Sequence, residues 1–367
     1  MVRGANRLRA LLGALGHSLR HRRLTQRPRS PAKILVLHEL LLGDTLMLAP
    51  LLAALRQRYP VAEILVTARP AYAKLFSGKP YGAIALPFSE RDPGALANLA
   101  KARDCDLAII PGENRFAVLA RALGAKWIVA FGGRQEGWNS RVTDEKIILP
   151  SDPTALADMF ALLAGDGLDP KRLRYSAGDW PAPHHAPYEQ PAEPYAVLHV
   201  GAGSPLRLWE PQKWRAVAEA ISARGVRVVW TAGKEETGLV QAIDPDSRYR
   251  SLAGRLDLAQ LWHLLCGARF AVTLDTGIAH MAKLTSTPAI ALFGPGSALL
   301  FGKGAFWEGN DFAEVTAVGF PCRDQRQLFK REVGWIRRCN RTSVHCPRAR
   351  CMEAIQPAQV LAALQVE

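Results

Sequence analysis

From Lys33 onward the chain alternates two patterns: short apolar runs, and stretches in which apolar residues recur every three or four positions. The runs predict strands at Ile34–Leu37, Glu63–Ala68, Ile84–Phe88, Leu107–Pro111, Trp127–Phe131 and Ile147–Leu149. Between them the helical spacing predicts helices over Asp44–Arg58, Ala71–Phe76, Pro93–Arg103, Asn114–Leu123 and Pro153–Leu163. In the first of these, Leu46, Leu48, Leu51, Leu52 and Leu55 form the apolar set, and Pro50 either bends the helix or marks its start. Residues 176–194 carry five prolines and read as a linker. The alternation then restarts with strand Tyr195–Val200, helix Pro211–Arg224, strand Val226–Trp230, helix Glu235–Ile243 and helix Leu258–Cys266. Strand Phe270–Leu274, a turn at Asp275-Thr276-Gly277, a helix with Ile278, Met281, Ala282 and Leu284, and strand Ala289–Phe293 complete the second half, and Pro357–Leu364 predicts a closing helix. Such alternation calls for α/β domains with mainly parallel sheets covered on both faces. No apolar run reaches the length that crosses a bilayer.

Charge changes this picture at two places. The formal net charge is +14. Residues 1–30 hold eight arginines and no acid, and residues 322–350 hold nine Lys and Arg against Asp324 and Glu332, so the body between is close to neutral. In the first segment Leu8, Leu11, Leu12, Leu15 and Leu19 share one helical face amid arginines, the pattern of a basic helix lying in a membrane interface; a transit peptide or a disordered tail would look similar. No secretory signal stands out, and six cysteines in 367 residues do not make a disulfide scaffold, so a reducing cytoplasm is expected. Cys105 and Cys266 lie in apolar segments and are expected in the core. Cys322, Cys339, Cys346 and Cys351 have a zinc reading, but the Cys346-x4-Cys351 spacing is at its loose end, and no metal is expected.

Candidate chemistry sits where strands end and helices begin. In an open α/β sheet that edge binds ligands. Asp275-Thr276-Gly277 opens a helix whose free N–H groups favour an anion, with Asp275 suited to cap it; cap and binding site are equally good readings of these residues alone. In HELLLGD (38–44), Gly43 permits a close turn and Asp44 either caps the helix or takes a proton from a hydroxyl. In HVGAGSPLRLW (199–209), Gly201 and Gly203 let backbone amides approach an anion, Ser204 adds a hydroxyl and Arg207 a fork suited to phosphate. Trp209 and Trp214 read as packing residues. In TAGKEE (231–236), Glu235 or Glu236 could accept two ribose hydroxyls. Dinucleotide, P-loop and nucleophile-elbow signatures are missing from the sequence.

Taken in order, these stretches resemble glycosyltransferase family 9, the ADP-heptose:lipopolysaccharide heptosyltransferases. The similarity rests on LGDTLMLAPLLAALRQRYP (42–60), HVGAGSPLRLW, TAGKEE, LDTGIAHMAK followed by Gly294-Pro295, and CMEAIQPAQV (351–360). The resemblance implies a GT-B fold, two Rossmann-like αβα domains with parallel sheets facing across a cleft. Between the basic extension (1–30) and the linker (176–194), both read from composition, it implies an acceptor-binding domain (31–175), with a donor-binding domain (195–367) after the linker. It implies inverting, metal-independent transfer of heptose or a related sugar from ADP-heptose to a lipopolysaccharide core or other glycolipid, without a cofactor. Asp44 would be the catalytic base. Gly201, Gly203, Ser204, Arg207, Glu236 (Glu235 as its register alternative), Asp275, Thr276, Gly277 and His280 would bind the donor. Arg207 stands where the family usually carries Lys, which leaves donor preference open. Arg69, Arg115 and Arg134 are candidates for an anionic acceptor. The expected location is the inner face of a bacterial cytoplasmic membrane, peripherally bound. A nucleotide-sugar or glycolipid binding protein without turnover is the competing reading. Nucleic-acid binding ranks last, because the basic charge sits in the two tails rather than on a recognisable module.

Overall fold

The computed structural model describes residues 24–92, 94–133, 141–165 and 172–364. The basic leucine face of residues 8–19 and Arg134 lie outside the described residues. The chain forms two compact units: one runs to Pro183 and includes Gln327–Trp335, the other comprises His184–Arg326 and Ile336 onward.

The first unit is built on β1 (Lys33–Val36), β2 (Glu63–Ala68), β3 (Ala83–Pro87), β4 (Leu107–Ile110), β5 (Trp127–Phe131) and β6 (Glu145–Ile147). They pair in the order β3-β2-β1-β4-β5-β6, all parallel, with Ile34 between Ile64 and Leu107. A parallel sheet covered on both faces has no wet side, which is why its central strands read as unbroken apolar runs. Ile34–Val36 and Leu107–Ile110 are indeed fully buried. Leu35, Leu65, Ala108 and Ile110 share one core with Phe116 and Leu119 of the helix Arg115–Ala122. Each buried leucine or phenylalanine contributes roughly 1.5–3 kcal/mol.

The helix predicted over Asp44–Arg58 is two pieces, Leu42–Leu46 and Ala49–Arg58. Pro50 stands in the first turn of the second piece, so it marks a start rather than a bend.

The second unit repeats the plan with β7 (Tyr195–His199), β8 (Arg227–Thr231), β9 (Arg250–Ser251), β10 (Phe270–Leu274), β11 (Ala289–Phe293) and β12 (Phe312–Thr316). Their order is β12-β11-β10-β7-β8-β9, again parallel. Both sheets therefore follow the 3-2-1-4-5-6 order of a Rossmann fold, with the order reversing between β1 and β4 and between β7 and β10. The helix Leu258–Cys266 is fixed by a reciprocal cap: Asp257 accepts from Gln260 N at 2.8 Å, and Gln260 Oε1 accepts from Asp257 N at 2.9 Å. Trp209 and Trp214 pack edge-to-face at 5.2 Å and are buried, as expected of packing residues. Cys105 is buried, but Cys266 is exposed, because the last residue of its helix faces away from the core.

A short antiparallel hairpin, Gln327–Leu328 with Arg331–Glu332, belongs to the first unit. Arg331 is its anchor. Its guanidinium donates to Asn114 Oδ1 at 2.5 Å, Phe131 O at 2.8 Å and Phe329 O at 2.9 Å, while Phe329 stacks on Phe160. Arg331→Ala would remove these three hydrogen bonds, two of which tie the hairpin to Asn114 and Phe131, and we expect the first unit to lose about 3 kcal/mol. A denaturation midpoint equal to wild type would contradict that.

Candidate functional site

In the second unit, three loops meet at the carboxyl ends of β7, β8 and β10. The turn after β10 places Thr276, not Asp275, at the helix cap: Thr276 Oγ1 accepts from Ile278 N at 3.3 Å, and helix Gly277–Leu284 follows. Asp275 is the first residue past β10, and its amide still donates to Leu292 O of β11 at 3.0 Å. Its side chain turns inward against Gly296, where an added Cβ would lie 2.1 Å from Oδ2. That crowding explains the glycine after Gly294-Pro295.

Arg207 docks on this turn. Its Nη1 donates to Asp275 O at 2.7 Å, and its Nε is 3.8 Å from Asp275 Oδ2. The Arg207 side chain is 37% exposed, so the rest of the guanidinium fork faces out of the protein. Burial raises the pKa of Asp275, and the cations Arg207, Lys283 and Arg338 pull it back down.

Glu236 closes the third side. Its carboxylate accepts from Ala202 N and Gly233 N, both at 2.8 Å, and so spans the loops after β7 and β8. Glu235 is exposed, so geometry selects Glu236 as the carboxylate that joins the two loops. Gly201 is glycine for a visible reason: a Cβ there would sit 2.0 Å from Glu236 Oε2. Gly203 has open space at that position, and Ser204 precedes the short turn Pro205–Arg207 that presents Arg207.

His280, one turn into the Thr276-capped helix, is buried with no hydrogen-bond partner at Nδ1. Burial first, then Lys283 and Arg207, hold its pKa well below the usual histidine value. Lys283 is fully buried, with Nζ 2.7 Å from Gly302 O and over the Trp307 ring. Lys283 and Arg338, whose charges act on Asp275, are absent from the candidate residues of the sequence motifs. A lysine inside the apolar run of HMAKL was the available signal for the first; nothing local marks the second.

In the first unit, the loop after β1 holds His38, Glu39 and Asp44. Asp44 is not a cap. Leu41 occupies that position without a side-chain bond, and Asp44 lies within the first turn of Leu42–Leu46, half-buried. Arg69 donates to Glu39 O at 3.1 Å. Arg115 pairs with Glu90 and approaches Glu39 and Glu113, each at 3.9 Å, so three carboxylates surround it. Glu39 and Glu90 were not foreseen from the sequence.

Three buried imidazoles make folding acid-sensitive. Burial, helped by Arg69, lowers His38 to about 3; burial lowers His199 to about 4; His280 is also lowered. Below pH 6.5 the unfolded chain binds protons at these positions that the native protein refuses, so stability falls as pH falls. Each group contributes about 1.4 kcal/mol per pH unit in the window between its native and unfolded pKa. Asp275, raised by burial, acts in the opposite sense. We expect the denaturation midpoint to drop steeply between pH 6.5 and pH 5; a flat profile there would contradict buried neutral histidines.

A cavity of about 490 Å³ between Glu189–Glu193 and Arg227–Val229 lies at the amino ends of the strands. Its arginines are taken up in the pairs Arg227–Glu193, Arg248–Glu219 and Arg250–Glu189, and it is remote from the loops above. Among the described residues no cluster of His, Cys, Asp or Glu is arranged to hold a metal, and no helix is long and apolar enough to cross a membrane.

Two Rossmann-like units, each with loops at its switch point, make up the GT-B fold, and solved structures share it. The chain superposes on the ADP-heptose lipopolysaccharide heptosyltransferase II of Escherichia coli with TM-score 0.65 and 21% identity, covering 90% of this chain and 97% of that one. It superposes on the E. coli heptosyltransferase WaaC with ADP at TM-score 0.63 and 18% identity, covering 77% and 93%. The profile of glycosyltransferase family 9 (heptosyltransferase) matches residues 96–318, more than half of the chain. The chain belongs to that family. Lipopolysaccharide heptosyltransferase 3 of E. coli is 25% identical over 312 residues, 77% of this chain and 89% of that protein. Lipopolysaccharide heptosyltransferase 1 of Pseudomonas aeruginosa is 33% identical over 156 residues, 39% of this chain but 43% of that protein, less than half its length.

Proposed function

We propose that this chain transfers heptose from ADP-heptose to a hydroxyl of a lipopolysaccharide core acceptor, with inversion at the anomeric carbon and without a metal. The observation that carries the reading is the constellation at the switch point of the second unit. Arg207 is seated on the carbonyl of Asp275, Thr276 caps an eight-residue helix, and Glu236 bridges two loops. Departing ADP carries negative charge that fixed cations, N–H groups and a helix dipole stabilise. Arg207 meets the diphosphate, with Asp275 as its support. Gly277 and the amides of its helix take further phosphate oxygens, with Gly203 and Ser204 on the neighbouring loop. Glu236 retains lone pairs for a ribose diol, since each of its oxygens accepts only one backbone amide. His280, one turn into that helix, stays buried as a neutral group.

In the first unit Asp44 is the base. Arg69 fits an anionic acceptor better than Arg115, whose charge is already met by carboxylates. The enzyme works at the inner face of the cytoplasmic membrane, held by its basic amino-terminal segment. The donor assignment is supported by relatives whose names specify lipopolysaccharide heptosyltransferases.

Gly201→Ala tests the Glu236 role. Its Cβ must displace the carboxylate. We expect ADP affinity, read by calorimetry, to fall about tenfold, the equivalent of one lost hydrogen-bonded group. Unchanged affinity would remove Glu236 from the donor site.

A further inference from the structure

The reading above leaves one group unused. Glu39, immediately before the loop's leucines, stands just past β1, beside the reversal between β1 and β4 where a Rossmann unit binds its ligand. It is only 9% exposed. Its Oε1 accepts from Ser89 Oγ at 2.9 Å. Its Oε2 is buried and has no hydrogen-bond partner. Arg115 stands 3.9 Å from that oxygen, beyond hydrogen-bond reach, with its Nη1 committed to Glu90. The backbone carbonyl of Glu39 holds Arg69, whose own Nε is buried without an acceptor. A buried carboxylate oxygen, touched only by the long ion pair to Arg115, and a buried guanidine N–H, neither with a hydrogen-bond partner, lie on two residues bonded to each other and form a donor–acceptor pair open to a polar ligand. Buried polar groups are almost always satisfied, so an oxygen and an N–H left open side by side call for a water, an ion or a ligand between them.

We propose that Glu39 is a specificity-determining contact for the acceptor. Its Oε2 accepts a hydroxyl of the acceptor sugar other than the one that reacts, while Arg69 Nε donates to a neighbouring ring oxygen or hydroxyl. The ligand class is a polyhydroxylated sugar, presented so that its reacting hydroxyl reaches Asp44. Ser89 is the positioning residue: it fixes one carboxylate oxygen and so aims the other. This inference rests on the first unit being the acceptor side.

The test is steady-state kinetics with ADP-heptose and heptose-deficient lipopolysaccharide, using Glu39→Gln and Ser89→Ala, together with a monodeoxy series of the acceptor sugar. For Glu39→Gln we expect acceptor KM to rise about tenfold to a hundredfold, with kcat changed less than about threefold. ADP affinity stays at the wild-type value. One monodeoxy acceptor reproduces the loss in wild type and suffers no additional loss in the variant, a coupling that a merely structural role would not create. Ser89→Ala, which leaves the carboxylate in place, gives the same selective pattern at about threefold to tenfold, and serves if Glu39→Gln does not fold. An acceptor KM within twofold of wild type, or a penalty equal for every monodeoxy acceptor, overturns the assignment. Silent Glu39→Gln beside an inactive Asp44→Asn would remove only this inference, whereas wild type that transfers nothing would remove the reading beneath it.

Discussion

Asp44→Asn should reduce the single-turnover rate of transfer by about two to four orders of magnitude, the range that a positioned general base contributes. The substitution keeps the size and shape of the side chain and removes the basic oxygen. Its expected cost to folding is small. Asp44 caps no helix, since the cap position is Leu41; its place in the first turn of Leu42–Leu46 is worth about 0.3–1 kcal/mol, and Asn keeps a side-chain oxygen to accept hydrogen bonds. ADP should bind the variant as it binds wild type, because every proposed donor contact belongs to the second unit. Loss of rate with intact ADP binding and intact stability isolates the chemical step. Full single-turnover activity in the variant would move the base elsewhere in the first unit.

Arg207→Ala should be nearly as damaging for a different reason. The guanidinium is anchored at one end by Asp275 O and directed outward at the other, which lets it follow charge onto the leaving diphosphate without reorganising. Removing a preorganised group of this kind costs about 10²–10³ in kcat. ADP affinity should fall with it, since the product carries the same diphosphate. The truncation also withdraws the nearest cation from a buried carboxylate, so the pKa of Asp275 should rise further. Arg207→Lys should recover part of the rate: it restores charge but cannot hold the Asp275 carbonyl and the diphosphate with one planar fork. Rates and ADP affinities within twofold of wild type for Arg207→Ala would exclude it from the donor site.

The two sheets were legible because parallel strands buried on both faces leave unbroken apolar runs, and because caps and prolines bound the helices. Glu63–Ala68, Trp127–Phe131 and Leu258–Cys266 have the predicted bounds. Edge elements were not legible. β9 is two residues long, and β12, Phe312–Thr316, carries polar positions that dilute its pattern. The hairpin anchored by Arg331 could not be foreseen either. Its partners Asn114 and Phe131 are about two hundred positions away, and nothing local announces such a contact. At the site, glycines and an Asp-Thr-Gly turn were readable as loops at strand ends, whereas the choice between cap and ligand group was not. Asp275 and Thr276 exchange those roles through one backbone bond, Asp275 N to Leu292 O, that only the register of β10 on β11 decides. Glu39 was invisible for the same reason: it is singled out by a buried oxygen without a hydrogen bond, a property of packing rather than of sequence.

The central claim, transfer from an ADP-activated heptose, is tested most directly by incubating the purified protein with ADP-heptose and heptose-deficient lipopolysaccharide and following ADP release and the glycosylated product. The account predicts ADP released in step with one heptose added per acceptor, the new linkage opposite in anomeric configuration to the donor, and no release without acceptor. Tight binding of ADP-heptose with no transfer to any core acceptor, as expected of a nucleotide-sugar binding protein, would contradict it.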